Sequence, residues 1–481
     1  MHSVRPMIYQ WDTWGLFSAV ALIAWLPLGL WFFRRQRPPR AALHTLIWGA
    51  MWLPEAAEFD FPLLPPLDKF AISALVALIG LRMTSARRVK VARVGRGYDW
   101  ILLLSIVALA ATVSNNGEAL HYGSYTTIDI PAFAAYDGLS AAIRLLFNIG
   151  IPWWLGRAVL RGRRDLLDAL EILVTAGLVY SVPILWELKM SPALHANLYG
   201  FNARYDWSQN IRQGGYRATV FMGHGLIVGF FMFLATAAAV TLRRAGQRTL
   251  HDIPMSAVCF FLAIMLIVCK AVAALLYGMI AYALIMWLKP KTTMRILLVL
   301  CALVALYPTS RMFGWFPTEG VLAAANILGP DRAQSMQFRF DNEDILLVKG
   351  SERLWFGWGG FGRDRVYDSW SAKDLVVQDG HWIAVFGQQG FIGYACYFTM
   401  MLWPVVQAWK RMRRVQAHPD RAMLVGLAVM VTFMAVNLLP NMELPNLHAF
   451  FAAGLAILSR EIPYARAKEL EAQQRAQAVV R

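Results

Sequence analysis

Charge is scarce in this sequence. Asp, Glu, Lys and Arg make up 16% of the 481 residues, against about a quarter in soluble domains, and 58% are hydrophobic, which excludes an ordinary soluble enzyme. Acidic residues are the scarcer sign, 30 against 46 Lys and Arg, for a net charge of +16. Cysteine is nearly absent: Cys259, Cys269, Cys301 and Cys396 stand in no CxxC spacing, so neither a disulfide framework nor a thiolate metal site is expected. No internal repeat and no low-complexity tract interrupts the chain. The opening "MHSVRPMIYQWDTW" lacks the order of a cleavable signal peptide, so none is expected.

What is abundant is apolar sequence. Runs long enough to cross about 30 Å of hydrocarbon recur from Trp14 to Leu458. Lipid offers no partner to backbone N–H and C=O groups, so such runs must be helical. The positive charge falls between them, in "RRQRPPR", "RMTSARRVKVARVGR", "RAVLRGRR", "RRAGQR", "KPKTTMR", "KRMRR" and the tail after Arg460. Short basic loops mark the cytoplasmic side, so the charge reads as topology and no nucleic-acid partner is expected.

Threading those clusters alternately gives thirteen spans, near 14–33, 41–54, 70–82, 99–116, 138–158, 166–187, 219–241, 253–269, 271–288, 296–309, 382–406, 422–438 and 447–459. The expected architecture is an all-α polytopic membrane protein, a bundle of about 12–13 transmembrane helices. Residues 1–309 form spans with short loops, 310–381 a large periplasmic loop with helical segments, 382–459 the last spans, and 460–481 a cytoplasmic tail. Spans 41–54 and 70–82 are short, and a re-entrant pair there leaves the downstream orientation unchanged.

The outer face then carries segments 117–137, 188–218 and 310–381. Arginines there run against the positive-inside bias, and anion binding explains them. Arg217, in "GGYRATVFMGHG", precedes a span, where snorkelling to the interface is the plainer reading. His224, seven residues on, is read as a structural histidine ahead of a ligand. Arg339 and Glu343 stand four apart, the spacing of a helical ion pair. Arg339 turned inward would instead grip a phosphate with its planar guanidinium. His381 opens "GHWIAVFGQQGFIGY", where Gly387, Gly390 and Gly393 permit close approach to a neighbour. Its imidazole can take a proton near neutral pH; an interfacial hydrogen-bonding role is an equal reading. Asp379 does not share its face, so no His–Asp pair is expected.

The order of these signals resembles the O-antigen ligase and polymerase superfamily of bacterial envelope glycosyltransferases over residues 165–460. An arginine in an R-x-x-x-F-x-x-H context opens a mid-chain span, a long outer loop carries "LWFGWGGFGR", and a histidine with G-x-x-G-x-x-G enters a late span. The resemblance implies a GT-C-like fold in the bacterial inner membrane with its site facing the periplasm. It also implies an undecaprenyl-diphosphate-linked glycan as donor, membrane lipid and other polysaccharide-assembly proteins as company, and neither metal nor other cofactor. Arg217 and Arg339 would hold the diphosphate, with Arg353, Arg363 or Arg365 as alternatives for the second, and His381 would deprotonate the acceptor hydroxyl. The wording around Tyr180–Asp206 and Asp379–Gly390 is nearer to exopolysaccharide-type members, which favours a polymerase over a ligase by a small margin. A flippase of lipid-linked oligosaccharide is the rival from another class, opposed by the paucity of charge within the spans.

Overall fold

The computed structural model describes residues 15–61, 64–85, 99–202, 210–212, 214–327, 329–441 and 444–480. The extreme N-terminus and most of the basic stretch 82–96 lie outside the described residues. The helices in chain order are α1 (Leu16–Arg35), α2 (Pro38–Trp52), α3 (Lys69–Gly80), α4 (Asp99–Ser114), α5 (Ala135–Leu145), α6 (Ile151–Val159), α7 (Arg163–Met190), α8 (Leu194–Tyr199) and α9 (Gly225–Arg244). They continue as α10 (Met255–Val268), α11 (Val272–Met286), α12 (Pro290–Met312), α13 (Thr318–Ile327), α14 (Pro330–Ser351), α15 (His381–Arg411), α16 (His418–Asn437) and α17 (Pro445–Val480). Strands are confined to two-stranded hairpins, among them β1 (Leu120–Tyr122) with β2 (Ile128–Ile130) and β3 (Ile211–Arg212) with β4 (Gly215–Tyr216).

The protein is an all-α polytopic membrane protein. A helix occupies each of the thirteen apolar runs, and seven helices among the described residues are long and apolar enough to cross a membrane. The α5–α6 run is one span, Ala135–Val159, with a π turn at Leu146–Gly150. Helices α9 and α16 form the centre and are buried on nearly every face. By contrast α1 and α12 leave long apolar side chains such as Ile23, Leu303 and Leu306 exposed, the surface expected of helices that meet lipid.

Polar residues at helix ends fix the packing. Arg37 pairs with Asp165 (2.7 Å) and Asp168 (2.6 Å), and Arg40 with Asp168 (2.9 Å), so part of the basic cluster before α2 binds the start of α7. At the other end Asp68 caps α3 by accepting from Phe70 N and Ala71 N.

Two spans differ from the expected course. The mid-chain helix begins at Gly225, not near Thr219, because Ala218–His224 is held extended and turned by long-range partners. The run entered by His381 is broken at Gly390, whose φ of 66° and ψ of −168° interrupt the helix. Only glycine adopts that backbone without strain.

The neighbour that the spaced glycines admit is the loop itself. Trp358 N and Gly359 N donate to Gly387 O and Gln388 O (both 2.8 Å), and Phe391 N to Leu354 O (2.7 Å). "LWFGWGGFGR" is therefore stitched into the gap in α15, nine residues below His381, a depth of about 13 Å at helical rise. The segment after α4 closes over the same loop: Asn116 Nδ2 donates to Gly357 O (3.0 Å), and Ser124, Tyr125 and Thr126 N all donate to Trp370 O.

Candidate functional site

Arg217 follows the β3–β4 hairpin, which is pinned where Lys270 Nζ donates to Arg212 O (3.0 Å). Residues 218–224 then form a strap over the N-terminal end of α9. Glu187, near the end of α7, accepts from Thr219 N and Val220 N (both 2.8 Å) and from Leu194 N (3.1 Å). Tyr180 OH accepts from Phe221 N (3.1 Å), while buried Lys69 donates to Phe221 O (2.9 Å) and pairs with Glu55 (2.8 Å). A φ of 46° at Val220 is the strain these bonds impose.

The strap ends at His224, whose Nδ1 accepts from Leu226 N (3.1 Å) and so caps α9. His224 is thereby structural.

Arg217 lies across Gly225, the first residue of α9: a Cβ there would sit 2.7 Å from its Nε. The residue is only 5% exposed, and its Nε is buried with no hydrogen-bond partner. Among the described residues the guanidinium makes no ion pair. Its charged neighbours are Arg212 and Arg332, and burial first, then these two cations, lower its pKa to about 10. A helix N-terminus carries partial positive charge too. A buried cation beside further positive charge is costly unless an anion joins it.

The second half of the site is built on α14 and α15. His381 begins α15, with its N–H donating to Asn441 O (3.2 Å) and its half-buried ring against Tyr397, centroids 5.0 Å apart. Among the described residues its ring nitrogens make no hydrogen bond. Arg339 reaches the same turn between α16 and α17, where Nη1 donates to Pro440 O (2.7 Å), and its Nε lies 3.4 Å from Asp379. One turn along α14, Glu343 accepts from Tyr307 OH (2.9 Å) and Trp382 Nε1 (3.0 Å) and pairs with Arg311 (3.3 Å). Burial raises the Glu343 carboxyl above the ordinary range, and those three partners oppose it. Glu343 thus locks the residue after His381, and the Arg339–Glu343 pair allowed by spacing does not form.

The remaining loop arginines are spent on the loop. Arg353 bonds Asn115 O and Glu118 and covers the Trp358 ring. Arg363 is fully buried, donating to Pro131 O (2.9 Å) and Glu118 (3.2 Å). Arg365 binds Asp374 (2.9 Å) and Val376 O (3.0 Å). Each holds segments of the loop together, whereas Arg339 bonds the turn between α16 and α17 that His381 also bonds.

Helix α14 carries Arg332, one of the two cations that lower the Arg217 pKa, and Arg339, which shares with His381 the turn between α16 and α17; the two stand seven residues apart, two turns on one face. That spacing was visible in the sequence, but nothing there showed what Arg332 approaches. Lys69, Glu187, Arg311 and Tyr180 were likewise missed, because each works through a partner between 32 and 152 residues away. Comparison with protein-family models, curated proteins and solved structures returned no match.

Proposed function

We propose that the protein is an inverting, metal-independent glycosyltransferase of the bacterial inner membrane. It polymerises undecaprenyl-diphosphate-linked repeat units of an exopolysaccharide or O-antigen on the periplasmic side. The observation that carries this reading is Arg217, a buried guanidinium that pairs with no acid among the described residues, set at a helix N-terminus near further cations. Such a site awaits an anion. The order of motifs in the sequence supplies its identity as a diphosphate.

In this reading the diphosphate lies along α14 between Arg217, Arg332 and Arg339. His381 takes the proton of the acceptor hydroxyl, whose oxygen attacks the anomeric carbon opposite the diphosphate. The new glycosidic C–O bond forms as the bond to phosphate breaks, and undecaprenyl diphosphate leaves with the electron pair. Attack from the opposite face inverts the anomeric centre. Preorganised guanidinium groups stabilise the charge that grows on the leaving group, and the proton on His381 passes to water.

The test is replacement of Arg217 by Lys, which keeps charge and loses the bidentate fork. A large loss of transfer with normal membrane insertion is expected; near-normal activity in Arg217→Ala would remove the residue from the site. Chain-length analysis separates polymerase from ligase, since only a polymerase yields a ladder of repeat units.

A further inference from the structure

The segment "PEAAEFDFPLLPPLDK" between α2 and α3 supports the strap through Glu55 and Lys69, while its Glu58 and Asp68 take no part in the site above. Phe59 and Leu67 exchange backbone hydrogen bonds (3.0 and 2.8 Å), which draws the segment into a loop and brings Glu58 and Asp68 to one rim. The opposite rim is the end of α5 and its π turn, the source of Arg144, Phe147 and Asn148. Between them lies a small, partly enclosed cleft of about 80 Å³, lined also by Pro66. It has room for several water-sized polar groups, and π turns often mark function.

The polar groups in this cleft are largely unspent. Among the described residues the Glu58 carboxylate and the Arg144 guanidinium make no hydrogen bond or ion pair. Asn148 Oδ1 is buried with no partner. Asp68 uses Oδ1 to cap α3 and leaves Oδ2 free. Burial pushes both carboxyls above their ordinary range, with the Arg144 charge opposing it. The Asn148 oxygen, buried without a donor, is costly to leave so, and its partner is to be sought in a ligand.

The mixture of groups narrows the chemistry. Two carboxylates repel a phosphate, and an arginine among them repels the divalent cation that they would otherwise attract. A neutral ligand with many hydroxyls satisfies all four, donating to the carboxylates and the amide oxygen and accepting from Arg144. Phe147 and Pro66 give the apolar surface on which the C–H face of a sugar ring rests.

We propose that this cleft is a glycan subsite that binds one pyranose unit. Its position suits the task. Glu55, three residues before Glu58, pairs with Lys69, which holds the Arg217 strap through Phe221 O. On the other side Asn446 Nδ2 donates to Phe70 O (2.8 Å), tying α3 to the start of α17, just after the turn that His381 N–H bonds. That the sugar belongs to a lipid-linked donor or to its acceptor rests on the transferase reading; the cleft's affinity for a sugar does not.

The test is titration of the purified full-length protein in nanodiscs with lipid-free repeat oligosaccharide, released by mild acid from the host cells' lipid-linked pool. Calorimetry and saturation-transfer NMR read binding. Glu58→Ala and Asn148→Ala are expected to weaken it about 10-fold or more without lowering the melting temperature. Arg217→Ala, which removes only a phosphate contact, should bind the oligosaccharide as wild type does. Equal affinity in wild type and both cleft variants, or no binding by wild type, overturns the proposal. In transfer assays a rise confined to KM for the lipid-linked donor assigns the bound sugar to the donor, and a rise confined to the acceptor assigns it there. A protein that binds the oligosaccharide but transfers nothing keeps the cleft and loses the transferase.

Discussion

At the scale of single residues the account turns on how little supports Arg217 electrostatically. With its pKa lowered to about 10 by burial and by Arg212 and Arg332, the guanidinium stays charged at neutral pH and becomes neutral only as pH climbs through that value. Affinity for a diphosphate diester, whose own charge is constant over this range, is therefore expected to be flat from pH 7 to about 9 and to fall above about 10. Calorimetry across that range checks it; a fall beginning near pH 7 would point to another group. Gly225→Ala supplies an independent probe, since a Cβ there meets Arg217 Cγ, Nε and Cδ at 2.7 to 2.8 Å. It should reproduce the diphosphate-binding loss of Arg217→Ala while leaving α9 intact by circular dichroism. His381→Ala should keep diphosphate binding and slow transfer by roughly 10²- to 10⁴-fold, the contribution of a general base. Neither His381 nor Arg217 stood out by residue type alone, since an interfacial histidine and a snorkelling arginine look the same in sequence. What sequence could not show was the absence of a partner.

Among the elements, the strap and the broken helix carry the site, and neither was legible. The apolar run from Thr219 reads as a span throughout, yet Glu187 and Tyr180 capture its first backbone N–H groups and delay the helix to Gly225. Glu187→Ala leaves three backbone donors unmade, at about 1–3 kcal/mol for each that stays buried. A lower melting temperature and weaker diphosphate binding are expected together, with Glu187→Gln milder because one acceptor oxygen remains. Unchanged melting in the Ala variant would show that the strap holds itself. The glycines of α15 were legible as a close-approach motif, but the partner was not, because it is an irregular loop and not another helix. At Gly390 a Cβ would stand 2.4 Å from Trp355 C, backbone that cannot swing aside. Gly390→Ala should expel the 354–359 segment, and protease nicking in the outer loop is its readout.

For the whole molecule, the spans were readable because hydrocarbon thickness and backbone hydrogen bonding leave helices as the only answer to long apolar runs. Assembly of the outer segments was not, since Glu118 meets Arg353 and Arg363 across more than 230 residues. The proposed orientation puts Lys349 outside and Gln474 inside. An impermeant thiol reagent applied to outer-membrane-permeabilised cells should label a cysteine at 349 and spare one at 474, and the reverse pattern would put the arginines on the wrong side for the donor. The central claim, that Arg217, Arg339 and His381 transfer a glycan off a lipid diphosphate, is tested most directly by purified protein given synthetic undecaprenyl-diphosphate glycan with chelator present. Wild type is expected to release undecaprenyl diphosphate and extend the glycan with inversion, while Arg217→Ala and His381→Ala fall far behind. Extension by either variant at the wild-type rate, or a wild type that needs divalent metal, would contradict it.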